Sequence, residues 1–501
     1  MLDGLTKKPI NSFFTGTCLM ILVLGLLIRF SLMPLFTYPF DIEHWAVIMQ
    51  NMESGNSLFG LTGYFYTPVW GYILGFEDLF YNFLTNLGLY GERIDVLLPI
   101  EGMDDRFFTA TTTTPAFNVA MKVPLILCDV VVGYLLYSVV KEEMNDTRKA
   151  TIAFALWFLC PIVIYESSVQ AMFDCFSALF VLLTLIFLRR SNYLLAGVMF
   201  ANAALLKFFP AFCITIFIAY ILKKEGMRTG LKHILVSGIG SAVTVLVIFI
   251  PTILDGTFEN AFSFVFDRAG NLDPFMAMLT YSCLGITAIF AVLLPVLMML
   301  GNEEGRDKNL ILFTLLCLVT ICSMNLGPQY CIVYIPLLAY LISSLNLKID
   351  RYMVKTLVYS LVLSLVFVVI CVTDVGFAPI IVLVAIIILD VPKNDNVFLV
   401  CFLAIGILSA VSGFFNNSLS ILTSSGAYWN LFDLSSVMNT MHDWESIHFA
   451  HHNLPGFFIY YGEEVKLMFY CILMLALLLK VIRPSWDHSI KEYLLGRLHN
   501  E

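Results

Sequence analysis

CLMILVLGLLIRFSLMPLF, residues 18–36, running on into Thr37-Tyr38-Pro39-Phe40-Asp41-Ile42-Glu43-His44-Trp45, is the stretch on which the reading of this chain turns. Its first part is an apolar run of about 20 residues, the length that crosses a bilayer's hydrocarbon core as a helix. Its second part sets two carboxylates immediately outside that core, where a membrane enzyme would keep a general base. Arg29 inside the run, and the lack of a small-residue cleavage site before Asp41, predict a retained anchor rather than a cleaved signal peptide.

The rest of the chain has the same character. Hydrophobic residues make up 59% and charged residues 13% of the 501, with a mean hydropathy of +0.86; a soluble domain carries about 25% charged residues. The apolar segments are solid blocks of about 15–25 residues, so helices rather than a barrel are expected. The fold class that follows is all-α: a polytopic transmembrane bundle of about 12–14 helices. The expected spans lie near 17–36, 116–140, 150–166, 172–188, 192–206, 208–222, 233–253, 276–299, 310–324, 329–346, 355–373, 377–391, 396–414 and 464–481. Residues 194–222 are apolar yet flanked by basic clusters at both ends, so the chain should return to the side it left. Two short helices with Lys207-Phe208-Phe209-Pro210 at their apex satisfy this, Pro210 favouring the break.

Basic residues fall on one side if the spans alternate: Lys7/Lys8, Lys141/Arg148/Lys149, Arg189/Arg190, Lys223/Lys224/Arg228/Lys232, Arg306/Lys308, Lys348/Arg351/Lys355, Lys393 and Lys480/Arg483/Lys491/Arg497. That side is expected to be cytoplasmic, with both termini on it. The other side carries three long loops, at 37–115, 252–273 and 415–463, the first with helical pieces at 44–55 and 69–89 lying in the membrane interface. Two units are expected: 1–340, holding the first external loop, and 341–501. The 12 cysteines lie mostly in apolar spans and read as small core hydrophobes.

Several elements, in order, resemble the GT-C glycosyltransferases, in particular glycosylphosphatidylinositol first mannosyltransferases and dolichol-linked glucosyltransferases. They are Asp41-Ile42-Glu43-His44-Trp45, then Glu53-Ser54-Gly55-Asn56-Ser57-Leu58-Phe59, Tyr64-Phe65-Tyr66-Thr67-Pro68, and Lys122-Val123-Pro124 with Asp129. Trp157 to Pro161 with Gln170-Ala171-Met172-Phe173-Asp174, Lys207 to Pro210, and Gly327-Pro328-Gln329-Tyr330 follow. Ser57-Leu58-Phe59 and Ala171-Met172 depart from the family pattern. The resemblance covers residues 15–340 and implies an inverting transfer of mannose or glucose from a polyprenyl-phosphate-linked donor to a lipid-linked or glycan acceptor on the non-cytoplasmic face, in a cell or endoplasmic reticulum membrane. Membrane lipids are expected partners and nucleic acid is not.

Such a transfer needs a base for the acceptor hydroxyl and positive charge for the departing phosphate. Asp41 is the candidate base. In an extended stretch Glu43 shares its face, so the two carboxylates permit a divalent cation, Mg or Mn. Lys207 and Lys122 are candidate donor-phosphate contacts, because a lone intramembrane ammonium must face a cavity or a partner. For Lys122 an ion pair with Asp129 is the equal alternative, and Arg29 is also expected to pair within the bundle. Glu43, His44, Tyr66, Gln170, Asp174, Gln329 and Tyr330 are candidate substrate contacts; for Gln170 and Asp174 helix capping is the rival role. In the late loop, Glu445, His448 and His452 share helical spacing that permits a metal site.

Two other classes fit the composition. A secondary transporter or flippase has many spans and buried charges but seldom needs a long first external loop opening on an acidic pair. An O-antigen polymerase or ligase handles polyprenyl-linked sugars but leans on external arginines, which the loop at 415–463 lacks.

Overall fold

The computed structural model describes residues 16–36, 42, 44–60, 64, 66–88, 93–99, 109–261, 274–322 and 328–345. Of the expected second unit only 341–345 fall among them, so its spans and the histidine-bearing loop lie outside the described residues. The fold is all-α in class. Helix α1 spans Gly16–Leu32, and the first external loop carries α2 (His44–Glu53) and α3 (Pro68–Asn86). Helices α4 (Pro115–Met144), α5 (Thr147–Phe158), α6 (Pro161–Tyr165), α7 (Asp174–Arg189) and α8 (Tyr193–Leu206) follow. Then come α9 (Ile214–Glu225), α10 (Met227–Leu254), α11 (Pro274–Leu300), α12 (Arg306–Cys322) and α13 (Ile335–Ser344).

The helices start where the sequence punctuates them. The Thr114 hydroxyl accepts from the Phe117 amide at the head of α4, with Pro115 at its first position, and Asp146 caps α5 through the Arg148 and Lys149 amides. Helices α4, α10 and the Thr280–Leu300 part of α11 are each long and apolar enough to cross a bilayer. The pair Thr147–Phe158 and Pro161–Gln170, bent by 46° at Pro161, makes a fourth if taken as one span. Helices α8 and α10 lie so close that a Cβ at Gly197 or Gly240 would strike a backbone carbonyl of the other helix, and Ser241 Oγ donates to the Gly197 carbonyl at 2.8 Å.

The first external loop is only partly as expected. Both helical pieces are present, and α3 turns Tyr72, Phe76, Leu79 and Phe83 outward as an apolar stripe, the surface an interfacial helix offers to lipid. Helix α2 is instead packed inward on Trp45, Ile48 and Met49. Between α3 and α4 the chain forms an antiparallel hairpin, β1 (Ile94–Pro99) with β2 (Thr109–Thr113), Ile94 facing Thr113 and Pro99 facing Thr109. The threonine-rich run of β2 suits a pleated surface, and the helix-oriented reading passed over it.

Side-chain contacts define two ends of the bundle. At one, Lys224 Nζ donates to the Leu188 and Arg189 carbonyls (3.2 and 2.6 Å), Lys149 Nζ to the Ser344 carbonyl (2.9 Å) and Lys223 Nζ to the Met299 carbonyl (3.0 Å). Arg189 pairs there with Glu143 and Asp307. Of the basic groups that alternation assigns to one side, Lys149, Arg189, Lys223 and Lys224 therefore lie at helix ends that the structure brings into contact. The Tyr193 hydroxyl at the head of α8 donates to Glu225 at the end of α9 (2.5 Å), so α8 and α9 form a hairpin whose ends meet. At the other end the first external loop is fastened down: Thr67 Oγ1 donates to the Leu205 carbonyl, the Tyr72 hydroxyl to the Ile248 carbonyl (2.7 Å) and Ser57 Oγ to Asp255 (2.6 Å).

Candidate functional site

Lys207 stands at the apex of the α8–α9 hairpin. Helix α8 stops because Lys207 is extended (φ −138°, ψ 129°), and Pro210 opens a short 3-10 turn, Phe209–Cys213, that leads into α9. The Lys207 ammonium is 3.3 Å from Asp174 Oδ2 and lies 4.6, 4.9 and 5.6 Å from the ring centres of Phe173, Tyr330 and Tyr66. Lys207 is 8% exposed and Asp174 fully buried. This is a cation held in a box of three π-faces and one carboxylate, each face contributing about 0.5–2 kcal/mol.

Asp174 arrives there by a tight reversal. After α6 the helix widens into a π turn at Glu166–Gln170, and Ala171 adopts a left-handed conformation (φ 59°) that costs an alanine about 1–2 kcal/mol. The Met172 amide closes back on the Glu166 carbonyl at 2.9 Å, and Phe173 and Asp174 turn into the core at the head of α7. Phe173 stacks on Trp70 (4.1 Å, 18°) and meets Tyr66 edge-on (5.1 Å). Trp45 contacts Tyr66 and Trp70 at 5.4 Å each and Phe173 at 6.3 Å. Trp45 comes four residues after Asp41, and Ile42, between the two acidic residues, is fully buried. Trp45 thus joins the aromatic cluster that boxes Lys207.

Arg29, Asp129 and Lys122 have other partners. Arg29 pairs with Asp129 at 3.1 Å, both at 0% exposure, and Arg29 Nη1 also donates to the Phe158 carbonyl at 2.7 Å. The expected Lys122–Asp129 pair does not form: two helical turns separate their backbones by roughly 10 Å, and Arg29 reaches Asp129 from the neighbouring helix. Lys122 instead donates to the Met33 (3.0 Å) and Phe36 carbonyls, and Asn118 to the Pro34 carbonyl (3.4 Å). The head of α4 therefore grips the exit of α1, from which the acidic motif departs.

Asp41 and Glu43, with the metal expected on them, lie outside the described residues. His44 begins α2, and its side chain lies outside them too. Gln170 is buried and, in the amide orientation that satisfies its neighbours, donates to both Glu166 carboxylate oxygens at 3.1 and 2.9 Å. Gln329 opens the turn that delivers Tyr330, its buried Oε1 without a hydrogen bond among the described residues.

The external loop has its own electrostatics. Arg93, beside β1, binds both Glu53 oxygens (2.8 and 2.7 Å) and Asp78 (2.6 Å), tying α2 to α3. The Arg93 hydrogen bonds pull the Glu53 carboxyl down to about 2, whereas burial lifts Asp78 to about 6 against the pull of Arg93. The next carboxylate, Glu77, is fully buried with neither oxygen hydrogen-bonded among the described residues, and desolvation holds it well above the usual carboxylate range. A raised value means that folded stability is greatest below about pH 4.5, the ordinary value, and falls as pH rises through the folded one. Glu77→Gln is therefore expected to melt at or above wild type in detergent, the gap widening from pH 5 to pH 9. A gap independent of pH, or a less stable variant, would mean that the carboxylate is ionised and paired.

Residues 103–268 match the family described as GPI transamidase subunit PIG-U. That range holds Lys122, Gln170, Asp174 and Lys207. GPI mannosyltransferase 1 of Saccharomyces cerevisiae is 30% identical over 131 residues, 25% of this chain and 31% of the relative. Over parts of its length the chain is thus similar to a GPI transamidase subunit family and to a GPI mannosyltransferase. The match spans about a third of the length of that curated relative, and no solved structure matches the chain. The parts of the site passed over in the sequence are aromatic: Phe173, Trp45 and Trp70 carry no charge, yet Phe173 faces Lys207 and the two tryptophans pack on Phe173. The available signal was Phe173 next to Asp174 and Trp45 four residues after Asp41.

Proposed function

We propose that the chain is an inverting glycosyltransferase that moves a mannose or glucose from a polyprenyl-phosphate donor to a lipid-linked or glycan acceptor on the non-cytoplasmic face. The observation that carries this reading is the aromatic cluster on which four separate parts of the chain converge: Trp45 and Tyr66 from the first loop, Phe173-Asp174 at the head of α7, Lys207 at the hairpin apex, and Tyr330. Aromatic faces suit the apolar faces of a sugar ring, and the ammonium suits the phosphate that leaves it. In this mechanism Asp41 removes the proton from the acceptor hydroxyl as its oxygen bonds to the anomeric carbon. The bond from that carbon to the phosphate oxygen breaks on the opposite face, and Lys207 stabilises the departing polyprenyl phosphate. Lys122 acts by holding the exit of α1 and so the approach of Asp41.

A second reading rests on the PIG-U match, which covers Asp174 and Lys207: the same cradle holds a glycolipid for a partner enzyme and performs no transfer. One experiment separates the two. Purified protein is incubated with short-chain polyprenyl-phosphate mannose or glucose and a panel of glycolipid acceptors, and the anomeric configuration of the product is determined. Transfer with inversion is expected. Binding of the lipids without transfer under any pairing would favour the second reading, and retention of configuration would overturn the single-displacement mechanism.

A further inference from the structure

Asp174 and Lys207 form a pair that is incompletely satisfied. An ammonium has three donors and a carboxylate about four acceptor sites. Among the described residues, Lys207 meets only the three ring faces and Asp174, and neither Asp174 side-chain oxygen makes a well-directed hydrogen bond. Asp174 is fully buried, whereas Lys207, Tyr66 and Tyr330 keep some exposure, so a ligand reaches the pair from the lysine side.

We propose, resting on the glycosyltransferase reading, that Asp174 is a stand-in anion. In the free chain its carboxylate holds the place beside Lys207 that the donor phosphate takes, and it yields that place by accepting one proton from solvent when the donor binds. The charge balance favours this. Among the described residues the pocket holds one cation and one anion before binding; a phosphodiester adds a second anion beside Lys207, and two anions sharing that cation in a water-poor site favour protonation of one of them. The phosphodiester is the stronger acid, so the proton goes to Asp174, whose new O–H can donate to the phosphate or to a sugar hydroxyl. The pocket is neutral before and after.

Among the described residues no neighbour competes for this role. Of the titratable groups on the elements packed around the head of α7, Lys207, Tyr66 and Tyr330 are the box itself, Glu166 of the turn before α7 accepts from the Gln170 amide, and Cys175 and Cys322 are buried thiols. Asp129 of α4 is held by Arg29, and Tyr340 of α13 donates to Glu143 at the far end of the bundle. Asp174 is thus a positioning residue: it keeps Lys207 charged and in place until the donor arrives.

The test measures the affinity of the purified full chain for short-chain polyprenyl-phosphate mannose between pH 6 and pH 8, with calorimetry in buffers of different ionisation heat. Affinity should fall about tenfold per pH unit, and the heats should report uptake of about one proton. Lys207→Arg, whose cation cannot deprotonate, should keep this dependence, and Lys207→Arg with Asp174→Asn should lose it. Binding by wild type without pH dependence, or a dependence that survives in the double variant, would overturn the assignment while leaving the glycosyltransferase reading in place. No binding at any pH would overturn both.

Discussion

Asp41→Asn is expected to lower turnover by about 10²- to 10⁴-fold while leaving donor affinity nearly unchanged. The substitution keeps the shape of the side chain and removes its basicity. The donor is held by the aromatic box and Lys207, on other segments of the chain, so its binding should not depend on this carboxyl. The acceptor oxygen must lose its proton as it attacks, and in the proposed mechanism that requirement falls on Asp41, four residues before Trp45 in the sequence. Single-turnover rates with preformed donor complex give the chemical step directly. Glu43→Gln should be milder. Parallel loss in Asp41→Asn, in Glu43→Gln and on adding chelator would assign the two carboxylates to a bound divalent cation, and near-normal turnover by Asp41→Asn would pass the base role to another external carboxylate.

Much of the fold was legible because it rests on local signals. Apolar blocks, Pro210 and the basic clusters predicted α4 and the α8–α9 hairpin with Lys207 at its apex, whereas the single span expected over 150–166 is bent at Pro161. The partners of the buried charges were less legible. Arg29 and Asp129 are 100 residues apart in sequence, and spacing within α4 pointed to Lys122 for Asp129 although two turns is too far for contact. The box around Lys207 draws one ring from each of three distant segments, so only the folded chain brings Tyr66, Phe173 and Tyr330 together. The β1–β2 hairpin escaped for a different reason: a short threonine-rich strand carries a weak pattern beside long helices.

Lys207→Met is expected to cut turnover by at least about a hundredfold, the scale for losing one charge-stabilising contact in a water-poor site. The single variant also strands Asp174 without its cation, and breaking a buried pair costs about 3–5 kcal/mol, so a loss of folding would mimic a loss of chemistry. The double variant Lys207→Met with Asp174→Asn removes both charges together, a change that is often neutral for stability. It should recover the wild-type melting temperature in detergent without recovering turnover. Lys207→Arg should keep more activity than Lys207→Met, because the charge persists, yet fall below wild type, because a planar guanidinium fills the three-ring box differently from a compact ammonium. Recovery of both stability and turnover in the neutral double variant would reduce the pair to a structural fastener and remove Lys207 from the chemistry.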